Sequence, residues 1–91
     1  MRVAGDSMWD TLHDGDFILV DRTVHRCGRD GLYVVRFSTS DELMVKRLIR
    51  HASSGLLILK SDNPAYGSQI TMSDPDLAIE GRVIWLGRNL G

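Results

Sequence analysis

The chain has 91 residues, 43% hydrophobic and 25% charged, with a net charge of −1. That length allows one domain, spanning 1–91, with a core small enough that association with a second copy is a natural supplement. The composition excludes a disordered chain, and the mixed charge contains no basic block of the kind that marks a nucleic-acid footprint. Cys27 is the lone cysteine, so an intrachain disulfide is excluded and no metal-ligand spacing fits. No apolar stretch approaches the roughly 20 residues of a membrane span, and no basic-then-apolar leader opens the sequence. These features read as a cytoplasmic protein with no membrane partner, no metal and no cofactor.

In chain order, the segment "GDSMWDTLHDGD" comes first, with one possible helical turn at Met8 to Leu12. Short apolar runs follow at 17–20, 32–37, 42–50, 56–60, 69–71 and 79–86. They are rich in Val, Ile, Leu and aromatics. Gly, Asp, Asn and Ser bound them, as at Asp14-Gly15-Asp16, Ser38 to Asp41, Ser53-Ser54-Gly55 and Ser61 to Gly67. That is strand punctuation, and it predicts a mostly β, compact barrel or sandwich with at most one short helical turn.

Ser7 reads first as a turn residue. Lys46 gives it a second reading. In a strand, Lys46 falls between Met44 and Leu48 on one side, a position suited to an edge lysine or to a lysine held in a dry site. A lysine with its ordinary pKa is about 0.04% neutral at pH 7. Lowering that pKa by about three units makes roughly a third neutral, at a desolvation cost of about 4 kcal/mol. A neutral amine can take the proton of a serine hydroxyl, and Ser7 could then attack a carbonyl. The backbone N–H groups of Asp6 and Ser7 are placed to form an oxyanion hole.

The segments "GDSMWDTLHDGDFILVD", "DELMVKRLIR", "LLILKSDNPAY" and "IEGRVIWLGR" resemble, in that order, the Ser-Lys peptidase domain of LexA-like repressors. Phage repressors and mutagenesis-protein subunits share this domain, and bacterial signal peptidases are more distant relatives. The resemblance implies a partly barrel-like LexA/signal-peptidase-type β fold that forms homodimers. It implies Ser7 as nucleophile and Lys46 as general base, with Gly5, Asp6 and Met8 shaping the serine turn. Asp10 fits the variant of the motif that has Asp where many phage-type members have Pro. In full-length relatives, a helix-turn-helix domain precedes this one. Cleavage of the linker between them, often at Ala-Gly or Cys-Gly, follows binding to a RecA filament.

This sequence contains no DNA-binding domain and no linker, so DNA is expected to be reached only through a missing N-terminal domain. The 91 residues read as an expressed fragment or the carboxyl-terminal product of cleavage. Ala4-Gly5 has the composition of a scissile pair, but it lies two residues before Ser7 and the chain cannot double back that sharply. Two alternatives stand beside the peptidase: a non-catalytic dimerisation module and a signal-peptidase-like enzyme.

Other residues carry less. His13, near Asp10, Asp14 and Asp16, reads as a solvated turn histidine rather than part of a triad. His25 and His51 neighbour Arg26 and Arg50, poor company for a metal or an imidazolium. Cys27 reads as a loop cysteine. Trp9 reads equally as a cleft border or a partly buried anchor for the serine loop, and Ile84 and Trp85 as core or dimer surface. Arg82 and Asp62 form a possible pair. Asn63-Pro64 is turn chemistry.

Overall fold

The computed structural model describes residues 1–38, 41–51, 53–67, 70–72 and 77–91, with backbone alone at 70–72. It has six strands: β1 (Phe17–Asp21), β2 (Gly31–Phe37), β3 (Met44–Arg50), β4 (Leu57–Lys60), β5 (Ile70–Met72) and β6 (Leu77–Gly87). Each matches an apolar run of the sequence. The expected turn at 38–41 and the start of the fifth run at 69 lie partly outside the described residues.

The strands form one antiparallel sheet in the order β1-β6-β2-β3-β4-β5. The fold is therefore mostly β, as expected, and the sheet is open, with β1 and β5 at its edges. β6 is the longest strand because it pairs with both β1 and β2, shifting register once against each. Gly81 permits the tight contact with β1: a Cβ there would lie 2.4 Å from Val20 Cγ1.

β2 is buried on both faces, as a central strand should be. Tyr33 and Val35 pack with Cys27, Leu48, Leu57, Leu59, Leu77 and Ile79 on one side. Val34 packs with Val3, Met8, Leu12, Ile18 and Val45 on the other. The segment ahead of β1 thus covers one face of the sheet, and this covering segment carries Ser7.

The possible helical turn at Met8 to Leu12 is a turn closed by one bond, Leu12 N–H to Met8 O at 2.8 Å. The helical element among the described residues is instead the 3₁₀ turn Pro64–Tyr66. Asn63 caps it by accepting from Ala65 N–H, and Pro64 occupies the first turn, where its missing N–H costs nothing.

Candidate active site

The Ser7 turn is held from several directions. Gly5 adopts φ +83°, a conformation that favours glycine, and its N–H donates to Asp14 Oδ1 at 2.8 Å. Trp9 N–H donates to Asp6 O at 3.0 Å and closes the turn. Met8 is 2% exposed and roots the turn in the core, while Ser7 beside it is half-buried.

Lys46 and Ser7 line the same cleft, about 350 Å³ in volume, together with Gly5, Asp6, Met44 and Tyr66. The Lys46 amine donates to Ser61 Oγ at 2.9 Å and lies 5.9 Å from the centre of the Tyr66 ring. Burial pushes its pKa below the ordinary lysine value. Among the described hydrogen bonds, this amine meets Ser61 and not the expected Ser7. The reason lies in strand pairing. β3 and β4 pair with Arg47 opposite Lys60, which brings Ser61, just past β4, alongside Lys46.

The segment from Ser61 to Tyr66 is more than turn chemistry, for it touches both sides of the cleft. Asp62 accepts from Arg47 Nε and Nη2 at 2.7 Å each and from Thr11 Oγ1 at 2.5 Å. Asn63 N–H donates to Ser7 O at 3.0 Å, and its side-chain amide donates to Asp6 O at 2.9 Å. The Tyr66 hydroxyl donates to Asp6 Oδ1. The polar string Ser-Asp-Asn was the available signal, but its partners are too distant in sequence to be read from it.

The remaining candidates fall elsewhere. His13 Nε2 meets Asp10 Oδ1 at 3.2 Å, and its ring stacks on Trp9 at 3.9 Å between centroids, so no triad with Ser7 forms. Trp9 is 47% exposed, with its ring stacked on His13. Cys27 is buried, its Sγ donates to Arg29 O at 3.2 Å, and burial raises its pKa, which makes the thiol inert. Asp62 pairs with Arg47 rather than Arg82, whose guanidinium lies over the Tyr33 ring at 5.8 Å. Ile84 and Trp85 are exposed and so do not belong to the core. Among the described residues, no group of three His, Cys, Asp or Glu could hold a metal ion. No helix among them is long and apolar enough to cross a membrane.

An open antiparallel sheet with a serine turn and a strand lysine lining one cleft has the form of a LexA/signal-peptidase-type domain. The chain belongs to the Peptidase S24-like family, which it matches over residues 1–84. It is 34% identical over 88 residues to the prophage repressor CohE of Escherichia coli K12. That match covers 97% of this chain but 38% of the relative, so the chain spans little more than a third of the repressor's length.

Proposed function

We propose that this chain is the self-processing Ser-Lys peptidase and dimerisation part of a prophage-type transcriptional repressor, acting in the cytoplasm. The observation that carries this reading is that Ser7 and the partly desolvated Lys46 share one cleft. The neutral Lys46 amine accepts the Ser7 proton as Oγ attacks the scissile carbonyl of the protein's own upstream linker. The Asp6 and Ser7 N–H groups hold the negative oxygen that forms. Lys46 then gives its proton to the departing amine. Water, deprotonated by Lys46, releases the acyl group and restores Ser7. In this scheme Ser61 accepts a hydrogen bond from Lys46, which leaves the lysine lone pair available to Ser7. Induction by a RecA filament fits this reading, and DNA is bound by a separate N-terminal domain.

Homodimerisation has its own support. Phe17, Leu19 and Trp85 are all exposed and share one face of β1 and β6, where Leu19 pairs with Trp85 and Phe17 with Gly87. A soluble monomer seldom leaves such an apolar stretch uncovered. This observation also favours the second reading, a dimerisation module that does not cleave.

Labelling with a fluorophosphonate separates the two. Ser7 Oγ displaces fluoride from phosphorus, and Lys46 takes the proton. The peptidase reading expects label on Ser7, located by mass spectrometry, that rises with pH and is lost in Ser7→Ala and Lys46→Ala. Labelling that ignores Lys46 would leave the dimerisation module standing.

A further inference from the structure

Asn63 holds both peptide units that flank Ser7. Its side-chain amide donates to Asp6 O at 2.9 Å, and its backbone N–H donates to Ser7 O at 3.0 Å. Its own Oδ1 accepts from Ala65 N–H at 2.9 Å, which sets the side chain's direction. The Asp6–Ser7 and Ser7–Met8 peptides are trans. In a trans peptide the C=O and N–H point to opposite sides. An Asp6 carbonyl aimed at Asn63 therefore turns the Ser7 N–H away from Asn63. A hydrogen bond on that carbonyl also polarises the amide and strengthens its N–H as a donor.

The Asp6 carbonyl has a second donor, Trp9 N–H at 3.0 Å, but that bond lies within the turn and moves with it. Asn63 ties the carbonyl to the sheet. Its neighbour Asp62 is fixed to Arg47, the residue after Lys46 in β3, by two bonds of 2.7 Å. One short loop therefore sets the Ser7 peptide relative to the strand that carries the lysine.

We propose that Asn63 is a positioning residue whose side-chain amide, by holding the Asp6 carbonyl, keeps the Ser7 N–H aimed at the point where the substrate oxygen becomes negative. The proposal rests on reading Ser7 as the nucleophile and adds a residue to that reading. Asn63 touches no reacting atom; it acts through the peptide.

The test is Asn63→Ser. Serine keeps an oxygen that can cap Ala65 and keeps the backbone N–H, but it is too short to reach Asp6 O. Two measurements are made on the 91-residue chain. The first is ¹⁵N relaxation of the Ser7 amide. Its order parameter is expected near about 0.85 in the wild type and below about 0.6 in the variant. The second is fluorophosphonate labelling across pH. The rate is expected to fall about ten- to a hundredfold at every pH, with the midpoint unmoved.

A general loosening of the loop would instead shift the midpoint, because Ser61 and Tyr66 contact Lys46 from the same segment. An unchanged Ser7 order parameter overturns the proposal, and so does a slowed reaction with a shifted midpoint. If the wild type takes no label while the order parameter still falls in Asn63→Ser, the aim of the peptide stands and the reading of Ser7 as nucleophile falls.

Discussion

The Lys46 amine donates to Ser61 Oγ at 2.9 Å, across the pairing of β3 with β4. This bond holds a four-carbon side chain that carries about 2 kcal/mol of rotamer entropy when free. Ser61→Ala is therefore expected to slow fluorophosphonate labelling of Ser7 about tenfold. Ser61→Thr keeps the acceptor and should return the rate to within a few-fold of wild type. An undiminished rate in Ser61→Ala would show that packing alone places the lysine.

The Lys46 titration gives a second prediction. Burial lowers its pKa, so labelling should rise with pH with a midpoint below 10.5. For stability the sign is as follows. Between the folded pKa and about 10.4, the unfolded chain binds the proton and the folded chain does not. Lys46 therefore costs stability at neutral pH, and the cost is relieved as pH rises through that window. Lys46→Met keeps the stem and removes the charge. It should abolish labelling and raise Tm slightly at pH 7, a gain in stability of less than about 1 kcal/mol because solvent screens the amine. A Tm several degrees lower would contradict this account.

Asp16 anchors the chain's end to its beginning. Arg88 Nε and Nη2 donate to its two oxygens at 2.8 Å each, and His13 N–H donates at 2.8 Å. The Arg88 hydrogen bond comes first among the causes that lower the Asp16 pKa to about 2. A depressed carboxylate stabilises the fold above its unfolded pKa, and this contribution is lost as pH falls toward about 2. Asp16→Asn should lower Tm at pH 6 by several degrees and flatten the Tm-against-pH curve between pH 4 and 2. A curve parallel to wild type would rule out this pair as a source of acid sensitivity.

Asp62 is 8% exposed at its side chain and receives two bonds from Arg47 and one from Thr11. Removing it leaves a partly buried guanidinium without its partner. Asp62→Ala is expected to cost about 1–3 kcal/mol in urea unfolding. Labelling should slow as well, since the anchored loop reaches Ser7 and Lys46. A stability loss with full labelling would confine Asp62 to a structural role.

The apolar stretch on β1 and β6 predicts a dimer in sedimentation velocity. Trp85 is 54% exposed, and its ring lies against Gly87, where a Cβ would come within 2.3 Å. Trp85→Glu should weaken association at least about thirtyfold, the scale of a central aromatic contact, without loss of the sheet's circular dichroism. A wild-type chain that sediments as a monomer at high concentration would remove the dimer from the proposal.

The sequence by itself determined the strands, and it put a serine in a turn and a lysine in a strand. Six apolar runs bounded by turn residues became six strands, because alternating burial and glycine or aspartate stops are local properties. Lys46 stood out in local pattern too, as a polar residue in an apolar stripe, whereas Gly5 and Met8 were marked only by the resemblance to LexA-like domains. Tertiary structure decided what those residues face. Asn63 meets Asp6 from 57 residues away, and Arg88 meets Asp16 from 72. Asp62 found Arg47 because β4 lies beside β3, whereas Arg82 lies on β6, opposite Tyr33. Such pairings follow from strand order and register, which long-range packing sets and no local window contains. The partner of the Lys46 amine was therefore decided only when the sheet formed.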